Sequence, residues 1–501
     1  MPQRTAHIKT AFVLFSIFFS VITVSAQLYQ EPFRPQFHFT PERNWMNDPN
    51  GLVYYDGEYH LFYQHNPFEN FWGHMSWGHA VSKDMIRWRH LLVAIPEEGD
   101  EMIFSGSVVV DWKNTTGFGI NNKPPMVAIY TGHYSSKRKE VQSLAYSNDR
   151  GRTWTKYHAN PVLDIDKSDF RDPKVIWHQS TNKWIMVVAL ANERKIQFYS
   201  SPDLKSWTLL QTFDPQIQRG EVVECPDFYS LPVDNNPAKH KWVLTFSQKE
   251  LHYILGDFDG NMFKAITSNR TRIDFGFDHY ALQSFSDIPK NDGRRISMAW
   301  MHNFAYEFPT TPWRCQMTFP LSVELKTINN EVVLVQNPVR ELASLRQTKY
   351  SFCRKNLHEI QLELGKIKGP LLEINVTFNP ANSSKTGFRI CKGKDEVTTV
   401  FYDNKKNELV VDRSKSGNTG FDSDFFPISV APLKPMANRL VNMHILIDKS
   451  SVEVIGNEGQ TVQTNLIYPS DASTGIEIFS EDGEPENVKL EIWNLKSIYT
   501  K

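Results

Sequence analysis

Short apolar runs, each followed by a polar turn and a second apolar run, recur over the first two thirds of the chain. Leu52–Tyr55 leads through a turn at Gly57 into Tyr59–Phe62. Val175–Trp177 leads in the same way into Trp184–Val188. Paired runs of this length predict β-hairpins, and the periodicity of amphipathic helices is almost absent. The pattern therefore predicts an all-β protein.

The hairpins belong to a repeat with a spacing of 52 to 66 residues. The five units begin near Asp48, Gly106, Asp172, Glu224 and Asp278. Each unit is long enough for four short strands, and four-stranded sheets repeated around an axis form a β-propeller. The repeat predicts a five-bladed β-propeller over residues 27–340. A β-sandwich with coincidental hairpins is the alternative.

A Ser-x-Asp turn followed by tryptophan recurs in three of these units. The copies are Ser82–Asp84 with Trp88, Ser147–Asp149 with Trp154, and Ser201–Asp203 with Trp207. Each copy follows a short β-like run, which supports the repeat.

The chain after about residue 338 has a different pattern. Residues 341–358 are predicted to be a linker. Apolar and polar residues then alternate in Gln361–Leu364, Glu408–Val411, His444–Asp448 and Val452–Ile455. Period-two strands between Asn, Gly and Asp turns predict a separate antiparallel β-sandwich over residues 359–501.

The N-terminus has the pattern of a secretory signal peptide. Arg4 and Lys9 precede the apolar run Ala11–Val24, and small residues follow at Ser25 and Ala26. The run is short for a membrane span, so cleavage after residue 26 and secretion are expected, with a retained anchor as the alternative. After removal of the signal no membrane association is expected.

Composition narrows the functional classes. Lys and Arg number 55 against 56 Asp and Glu, which disfavours nucleic acid as a partner. Aromatic residues make up 13% of the chain, as suits surfaces that stack on sugars and equally an all-β core. Four cysteines are few for a secreted chain of this length, so at most one disulfide is expected. Acceptor triplets for N-glycosylation, which would be used only in a eukaryotic host, begin at Asn114, Asn269, Asn375 and Asn382.

Four acidic residues stand at the starts of repeat units. They are Asp48 in WMNDPNG, Asp172 in FRDPKV, Glu224 in VECPDF and Asp278 in FGFDHYA. Because inner strands of a propeller share one axis, these side chains are expected to converge. Clustered carboxyls repel one another, so one can stay protonated while another is ionised, as glycosidic bond cleavage requires. The alternative is that each acid only accepts hydrogen bonds from turn amides.

An ordered set of motifs closely resembles glycoside hydrolase family 32, which includes invertases, exo-inulinases and levanases. The motifs are WMNDPNG at 45–51, FYQHNP at 62–67, WGHA at 77–80, FSGS at 104–107, RDP at 171–173 and ECPD at 224–227. In the tail, VDRSKSG at 411–417 and IDKSSVEV at 447–454 resemble the sandwich domain of that family. The resemblance covers nearly the whole chain after the signal.

The resemblance implies a retaining mechanism with three acids. Asp48 matches the nucleophile, Glu224 the acid/base, and Asp172 the third acid, which with Arg171 would hold the fructose hydroxyls. Positions matched to the sugar pocket are Asn47, Gln64, Trp72, Phe104, Ser105 and Trp300, and Trp45 and Asp278 are further predicted substrate-binding residues. For Cys225, a buried and inert thiol is favoured over one that tunes the neighbouring acid.

The resulting expectation is a secreted β-fructofuranosidase that removes terminal fructose from sucrose or fructans. No cofactor and no metal are expected. A fructosyltransferase would use the same intermediate, and a non-catalytic carbohydrate-binding protein or a propeller enzyme acting on arabinose polymers is disfavoured by the intact acids and their contexts. Preference among sucrose, inulin and levan, and the oligomeric state, are left open.

Overall fold

The computed structural model describes residues 28–218, 220–266, 270–302, 304–353 and 356–499. The predicted signal peptide, residues 1–26, and the acceptor triplet at Asn269 lie outside these ranges. Within the ranges, no helix combines the length and the apolar character that crossing a bilayer requires.

Five antiparallel sheets around one axis form the blades of the predicted propeller. Blade 1 contains β1 (Asn44–Tyr55), β2 (Glu58–His65), β3 (Ser76–Ser82) and β4 (Trp88–His90). Blade 2 contains β5 (Glu101–Val110), β6 (Met126–Tyr134), β7 (Lys139–Ser147), β8 (Thr155–Lys156) and β9 (Leu163–Lys167). Blade 3 contains β10 (Phe170–His178), β11 (Lys183–Leu190), β12 (Lys195–Ser201) and β13 (Thr208–Phe213).

The last two blades are joined edge to edge by a parallel pairing of Val233 with Leu325. Blade 4 contains β14 (Glu224–Val233), β15 (Asn236–Ser247), β16 (Leu251–Phe258), β17 (Phe263–Ala265) and β18 (Thr271–Arg272). Blade 5 contains β19 (Tyr280–Ser284), β20 (Arg295–Trp300), β22 (Leu321–Ile328) and β23 (Glu331–Pro338), while the short β21 (Trp313–Arg314) lies between β20 and β22 in the chain.

The innermost strands close the propeller. β1, β5, β10, β14 and β19 each contact the next, and β19 in turn contacts β1. β21 also pairs with β1, in parallel. The prediction of five repeated sheets around an axis is therefore confirmed.

The Ser-x-Asp turns have a common structural role at the outer edges of blades 1 to 3. Asp84 accepts hydrogen bonds from the amides of Ile86 and Arg87, and the Trp88 indole donates to the Met85 carbonyl at 2.9 Å. Corresponding bonds recur around Asp149 with Trp154 and around Asp203 with Trp207. These turns fix where the third strand of each blade ends.

The C-terminal part is the predicted β-sandwich of two antiparallel sheets. One sheet has the order β24-β34-β25-β30-β31-β32 and the other β29-β28-β27-β26-β33, with these bounds: β24 (Arg346–Cys353), β25 (Leu372–Asn379), β26 (Lys385–Lys392), β27 (Val397–Asp403), β28 (Glu408–Lys415), β29 (Ile428–Pro432), β30 (Val441–Asp448), β31 (Ser451–Gly456), β32 (Thr461–Leu466), β33 (Gly475–Glu481) and β34 (Glu486–Leu495). Alternate residues such as Ile374, Val376 and Phe378 point into one shared apolar core.

Two expectations near the domain boundary are corrected. The predicted linker at 341–358 contains a 3₁₀ helix (Arg340–Leu345) and β24, which pairs with β34 of the sandwich. The strand predicted at 361–364 is wrong, because these residues end the helix α1 (Leu357–Leu364). The Asn356 side chain caps this helix by accepting from the Glu359 amide at 2.9 Å. A second 3₁₀ helix spans Asn457–Gly459.

The two domains share an apolar interface. One buried cluster includes Phe37 and Met317 with Leu446, Tyr468 and Trp493 of the sandwich. All four cysteines are free thiols, so packing and not disulfide bonding holds the domains together.

Candidate active site

The inner strands break their regular pairing at the end of the axis where the predicted acids lie. The register shifts between Arg171 and Lys174 in β10, between Glu224 and Asp227 in β14, and between Tyr280 and Gln283 in β19. Such bulges bend the strand and redirect a side chain. They turn side chains at three successive strand starts toward one point.

The bulges also show which residues are equivalent between blades. Arg171, Glu224 and Tyr280 stand immediately before the three shifts. Asp172, which follows Arg171, has a φ of 65°, and Cys225, which follows Glu224, has a φ of 49°. A positive φ is costly for a side chain other than glycine and is characteristic of functional sites. The backbone therefore holds strain at the point where the acids meet.

A cavity of about 530 Å³ opens at this end of the propeller. All the predicted site residues except Asp278 and Trp300 line it: Trp45, Asn47, Asp48, Gln64, Trp72, Phe104, Ser105, Arg171, Asp172 and Glu224. Residues as far apart in sequence as Trp45 and Glu224 are thus brought together by the closed ring of inner strands, as the repeat predicted.

Asp48 is a carboxyl held by hydroxyl, amide and thiol groups. The Ser105 hydroxyl donates to Asp48 Oδ2 at 2.7 Å, and Cys225 Sγ lies 3.7 Å from the same oxygen. Burial raises the pKa of Asp48, whereas hydrogen bonds from Ser105 and Asn47 oppose that rise by favouring the carboxylate. These donors leave Asp48 ordered and aimed at the pocket.

Asp172 is only 6% exposed and lies close enough to the other two acids for their charges to act on it. Its Oδ2 accepts from the Cys225 amide at 2.9 Å and lies 3.5 Å from Cys225 Sγ. Burial raises the pKa of Asp172 to about 8; the Arg171 charge opposes this rise, and the charges of Glu224 and Asp48 add to it. The raised pKa favours the protonated form of Asp172, which can donate as well as accept hydrogen bonds.

Cys225 is a buried free thiol, as predicted, and its sulfur lies beside both aspartates. Burial, together with the neighbouring carboxyls, raises its pKa well above the usual value, so its sulfur keeps the proton. A neutral S–H group is a weak donor. The thiol and its backbone amide therefore support both acids without adding charge.

Glu224 is held at both oxygens. Arg171 donates to Oε1 from Nε at 3.1 Å and from Nη2 at 2.9 Å. The Tyr280 hydroxyl donates to Oε2 at 2.5 Å. Arg171 is itself held by Glu140, whose Oε2 lies 3.2 Å from Nη1. Charge-assisted bonds of this kind fix the carboxyl in one orientation facing the pocket.

Aromatic side chains form the pocket walls. The Trp72 ring is 46% exposed and lies edge-on to Phe104 at 5.9 Å between centroids. Phe104 in turn stacks on His133 at 4.3 Å. The Trp45 indole donates to Asn47 Oδ1 at 2.8 Å, which orients the Asn47 amide. Flat aromatic faces beside oriented polar groups suit a sugar ring.

Two predicted substrate-binding residues lie outside the pocket. Asp278 is fully buried and accepts from Arg413 Nη1 at 2.6 Å and from the Leu466 amide at 2.7 Å, both in the sandwich. The Tyr306 hydroxyl also donates to it. Asp278 therefore joins the two domains. The position equivalent to Glu224 is taken by Tyr280, two residues later.

Trp300 is buried behind the wall rather than exposed on it. Its ring lies 6.0 Å from Trp45 and 4.6 Å from Phe304, and it has no exposed surface. It supports two residues that do line the pocket.

Sequence reasoning missed several lining residues: Phe71, His133, Glu140, Tyr280, Phe304, Glu307 and Arg314. Tyr280 is predictable from the sequence, because it stands in the FGFDHYA motif at the start of the fifth unit. His133 lies on the second strand of blade 2 and Glu140 on the third, where no repeat position marks them. The amide of Glu307 donates to Asp422 of the sandwich at 2.9 Å, so that domain also supports the pocket rim.

The arrangement is suited to acid/base and nucleophilic chemistry on a small polar molecule. Among the described residues, no group of three His, Cys, Asp or Glu side chains is placed to hold a metal ion. Two ordered carboxyls, Asp48 and Glu224, share a pocket with a third, Asp172, whose pKa is raised by burial. Paired carboxyls between aromatic walls at the axis of a propeller define the site of a glycoside hydrolase.

Family comparisons agree with that class over both domains. The family model described as glycosyl hydrolases family 32 N-terminal domain matches residues 38–338, and the one described as glycosyl hydrolases family 32 C terminal matches residues 341–494. The chain belongs to glycosyl hydrolase family 32.

Individual relatives match nearly the whole of this chain. A levanase of Bacillus subtilis (strain 168) is 43% identical over 523 residues, covering 100% of this chain and 76% of the levanase. An extracellular exo-inulinase of Aspergillus ficuum is 36% identical over 519 residues, covering 94% of this chain and 96% of the relative.

Solved structures agree with the fold. The crystal structure of exo-inulinase from Aspergillus awamori superposes with a TM-score of 0.87 at 34% identity, covering 94% of this chain and 100% of that one. The β-fructofuranosidase of Schwanniomyces occidentalis complexed with fructosyl-erythritol gives a TM-score of 0.84 at 30% identity, covering 94% and 99%.

Proposed function

We propose that this protein is a secreted β-fructofuranosidase that releases terminal β-D-fructose from sucrose or fructans with retention of configuration. The observation that carries the proposal is the pair of ordered carboxyls, with Asp48 held by Ser105 and Glu224 held by Arg171 and Tyr280. Relatives named levanase, exo-inulinase and β-fructofuranosidase support the substrate class.

The reaction proceeds in two displacements. Asp48 attacks the anomeric carbon of the terminal fructosyl unit while Glu224 gives its proton to the departing glycosidic oxygen. A covalent fructosyl-enzyme results. Glu224, now a carboxylate, takes a proton from water, and the hydroxide formed attacks the same carbon and releases Asp48. Retention requires the two carboxyl groups to be about 5 to 5.5 Å apart, so that no water fits between nucleophile and sugar.

Asp172 and Arg171 position the sugar. Because the raised pKa of Asp172 favours its protonated form and Arg171 bears several N–H donors, the two offer both donors and acceptors to fructose hydroxyls. Hydrogen bonds that strengthen as charge develops on the ring lower the barrier. Neither group needs to change its charge during the cycle.

The floor of the pocket is closed. Lys174 lies two residues below Asp172 on β10 and is almost fully buried. It donates to the Ser284 carbonyl at 2.7 Å and pairs with Asp227 at 3.3 Å, so these side chains fill the axis beneath the acids. Substrate therefore reaches the acids from one end of the axis only, and the proposed reaction is attack at its terminal unit.

A transferase is the second candidate, because any hydroxyl that reaches the covalent intermediate competes with water. Purified protein incubated separately with sucrose, inulin and levan, with products separated over time, tests the proposal. We expect free fructose from the start of the reaction. Longer oligosaccharides formed at high sucrose concentration would instead favour transfer, and absence of any product would contradict the proposed function.

A further inference from the structure

The inner strands lead to a second cavity at the other end of the propeller axis. On β10, Asp172 faces the active site, whereas Trp177 lines the second cavity five residues later. At about 3.3 Å per residue, the two sites are roughly 16 Å apart along the strand. The Lys174–Asp227 ion pair lies between them. The two cavities are therefore separate.

This far-end cavity has a volume of about 470 Å³, similar to that of the active site. Its floor is apolar, formed by Val109, Val110 and Val175, and its rim carries Trp112, Trp177, Asp287 and Arg295. Ligand sites combine such an apolar surface with a few fixed polar groups.

Trp112 is the unusual feature of this cavity. Its side chain is 60% exposed, yet the indole N–H donates to Asp287 Oδ1 at 2.9 Å. Tyr55 packs edge-on to the same ring at 5.7 Å between centroids. An exposed indole that is fixed in orientation provides a flat face without the entropic cost of ordering it on binding.

The second rim tryptophan is also fixed. Trp177 donates to Gln179 at 3.0 Å, and the Lys113 ammonium lies 4.5 Å from its ring centroid while also donating to Asn182. One face of Trp177 is thus covered by a cation, which leaves Trp112 as the open platform.

The polar rim offers both donors and acceptors to hydroxyl groups. Asp287 is an acceptor beside the platform, whereas Arg295, Lys113 and Lys290 are donors. A sugar hydroxyl both donates and accepts, so it satisfies the two kinds of group together.

We propose that this cavity is a second carbohydrate-binding site, which holds a fructan segment on Trp112 while another chain end occupies the active site. The inference rests on the proposed function for the identity of the sugar. Binding at the far end would keep the enzyme on a polymer between cleavages and would not alter the chemistry on sucrose.

Calorimetric titration of a short β-2,1-linked fructose oligosaccharide tests the proposal. The titrated protein is the Asp48→Asn variant, which removes turnover. We expect two binding sites per chain. Adding Trp112→Ala should abolish one site or weaken it about tenfold or more, and adding Asp287→Asn should weaken it less. The matched control is Leu92→Ala, which removes another exposed apolar side chain, 87% accessible, outside both cavities and should leave two sites.

Activity separates this proposal from the proposed function. Trp112→Ala in the otherwise native enzyme should hydrolyse sucrose at a rate within about twofold of the parent, because Trp112 touches no residue of the active site. If the parent releases fructose but the Asp48→Asn variant has a single site, the second site is refuted while the proposed function stands. Loss of the second binding event upon addition of inorganic phosphate, with phosphate itself binding in a Trp112-dependent way, would identify an anion site and also refute it.

Discussion

The two β domains differ in the regularity of their strands and in where they bury polar groups. In the sandwich, strands such as β25 keep an unbroken register with both neighbours along most of their length and alternate apolar residues into one core. In the propeller, β10, β14 and β19 break register at the pocket and keep Asp172, Lys174 and Asp227 almost fully buried. The regular strands supply an apolar core, whereas the irregular ones place buried charged groups at the pocket.

The sandwich and the irregular part of the propeller contact each other at the domain interface. Arg413 of β28 is fully buried against Asp278, which directly precedes the inner strand of blade 5. Asp422 holds the rim residue Glu307. The regular domain therefore supports the least regular part of the other one, and substitutions on each side should differ in whether they alter activity or stability.

The largest effect is expected for the acids themselves. Asp48→Ala or Glu224→Gln should lower turnover of sucrose by about 10³-fold or more, because each removes a group that bonds to or exchanges a proton with the substrate. Melting temperatures should stay close to or above that of the parent, since repulsion between buried carboxyls is relieved. Fructose release and thermal melts measure both, and a rate near that of the parent from either folded variant would remove that residue from its role.

The next effect concerns stability rather than chemistry. Arg413→Met should destabilise the protein by about 3 to 5 kcal/mol, because Asp278 is left as an unpaired buried charge. The double variant Arg413→Met with Asp278→Asn should recover part of the loss. Chemical denaturation of the parent, the two single variants Arg413→Met and Asp278→Asn, and the double variant measures the coupling. A cost below about 1 kcal/mol for Arg413→Met would show that the pair does not join the domains.

A smaller effect is expected for Tyr280, one of the pocket residues that sequence reasoning missed. Tyr280→Phe removes the hydroxyl that donates to Glu224 and should lower kcat about 10- to 100-fold with little change in melting temperature. Tyr134→Phe is the matched control, because it removes a similar tyrosine-to-glutamate hydrogen bond, to Glu101, outside the pocket. Equal activity of the two variants would mean that Tyr280 does not position Glu224.

The smallest effect is a dependence of stability on pH. The pKa of Asp172 is raised by burial to about 8 from an ordinary 3.8, so the stability that its proton provides is complete below pH 4 and is lost as pH rises toward 8. Asp172→Asn should flatten this decline, by an amount on the order of a few kcal/mol at most. Melting temperatures at pH 4 and pH 8 measure it.

A residue with the opposite shift provides the control. Burial acts to raise the pKa of Asp84, but amide hydrogen bonds from Arg87 and Ile86 outweigh it and hold the pKa below 3.8. The stability that the Asp84 carboxylate provides is present above pH 4 and is lost as pH falls. Asp84→Asn should therefore lower the stability of the protein at pH 8 and change it little at low pH. The same pH trend in both variants would contradict the assignment for Asp172.

Much of the fold was predictable because it follows from repetition. Hairpins at a regular spacing imply a closed ring, and a ring brings Asp48, Asp172 and Glu224 together without any knowledge of individual contacts. The strand wrongly predicted at 361–364 shows the limit, since a short apolar stretch does not distinguish strand from helix unless the cap at Asn356 is recognised.

The site was predicted less completely than the fold. Asp278 was assigned to the pocket because spacing places it at the start of a unit, but a bulge, which spacing does not reveal, makes Tyr280 the equivalent of Glu224. Likewise, the roles of Glu140 and Arg413 depend on contacts between separate sheets and domains. Periodicity locates a strand along the chain, whereas local register decides which side chain reaches the axis.

The most direct test of the central claim is the stereochemistry of transfer to methanol. Sucrose is incubated with the enzyme in dilute methanol, and the methyl fructoside formed is examined by nuclear magnetic resonance, because a glycoside, unlike free fructose, does not change its anomeric form in solution. A double displacement through Asp48 predicts the methyl β-fructoside, with none formed by the Asp48→Ala variant. Formation of the α anomer would show a single displacement and would contradict the assignment of Asp48 as the nucleophile.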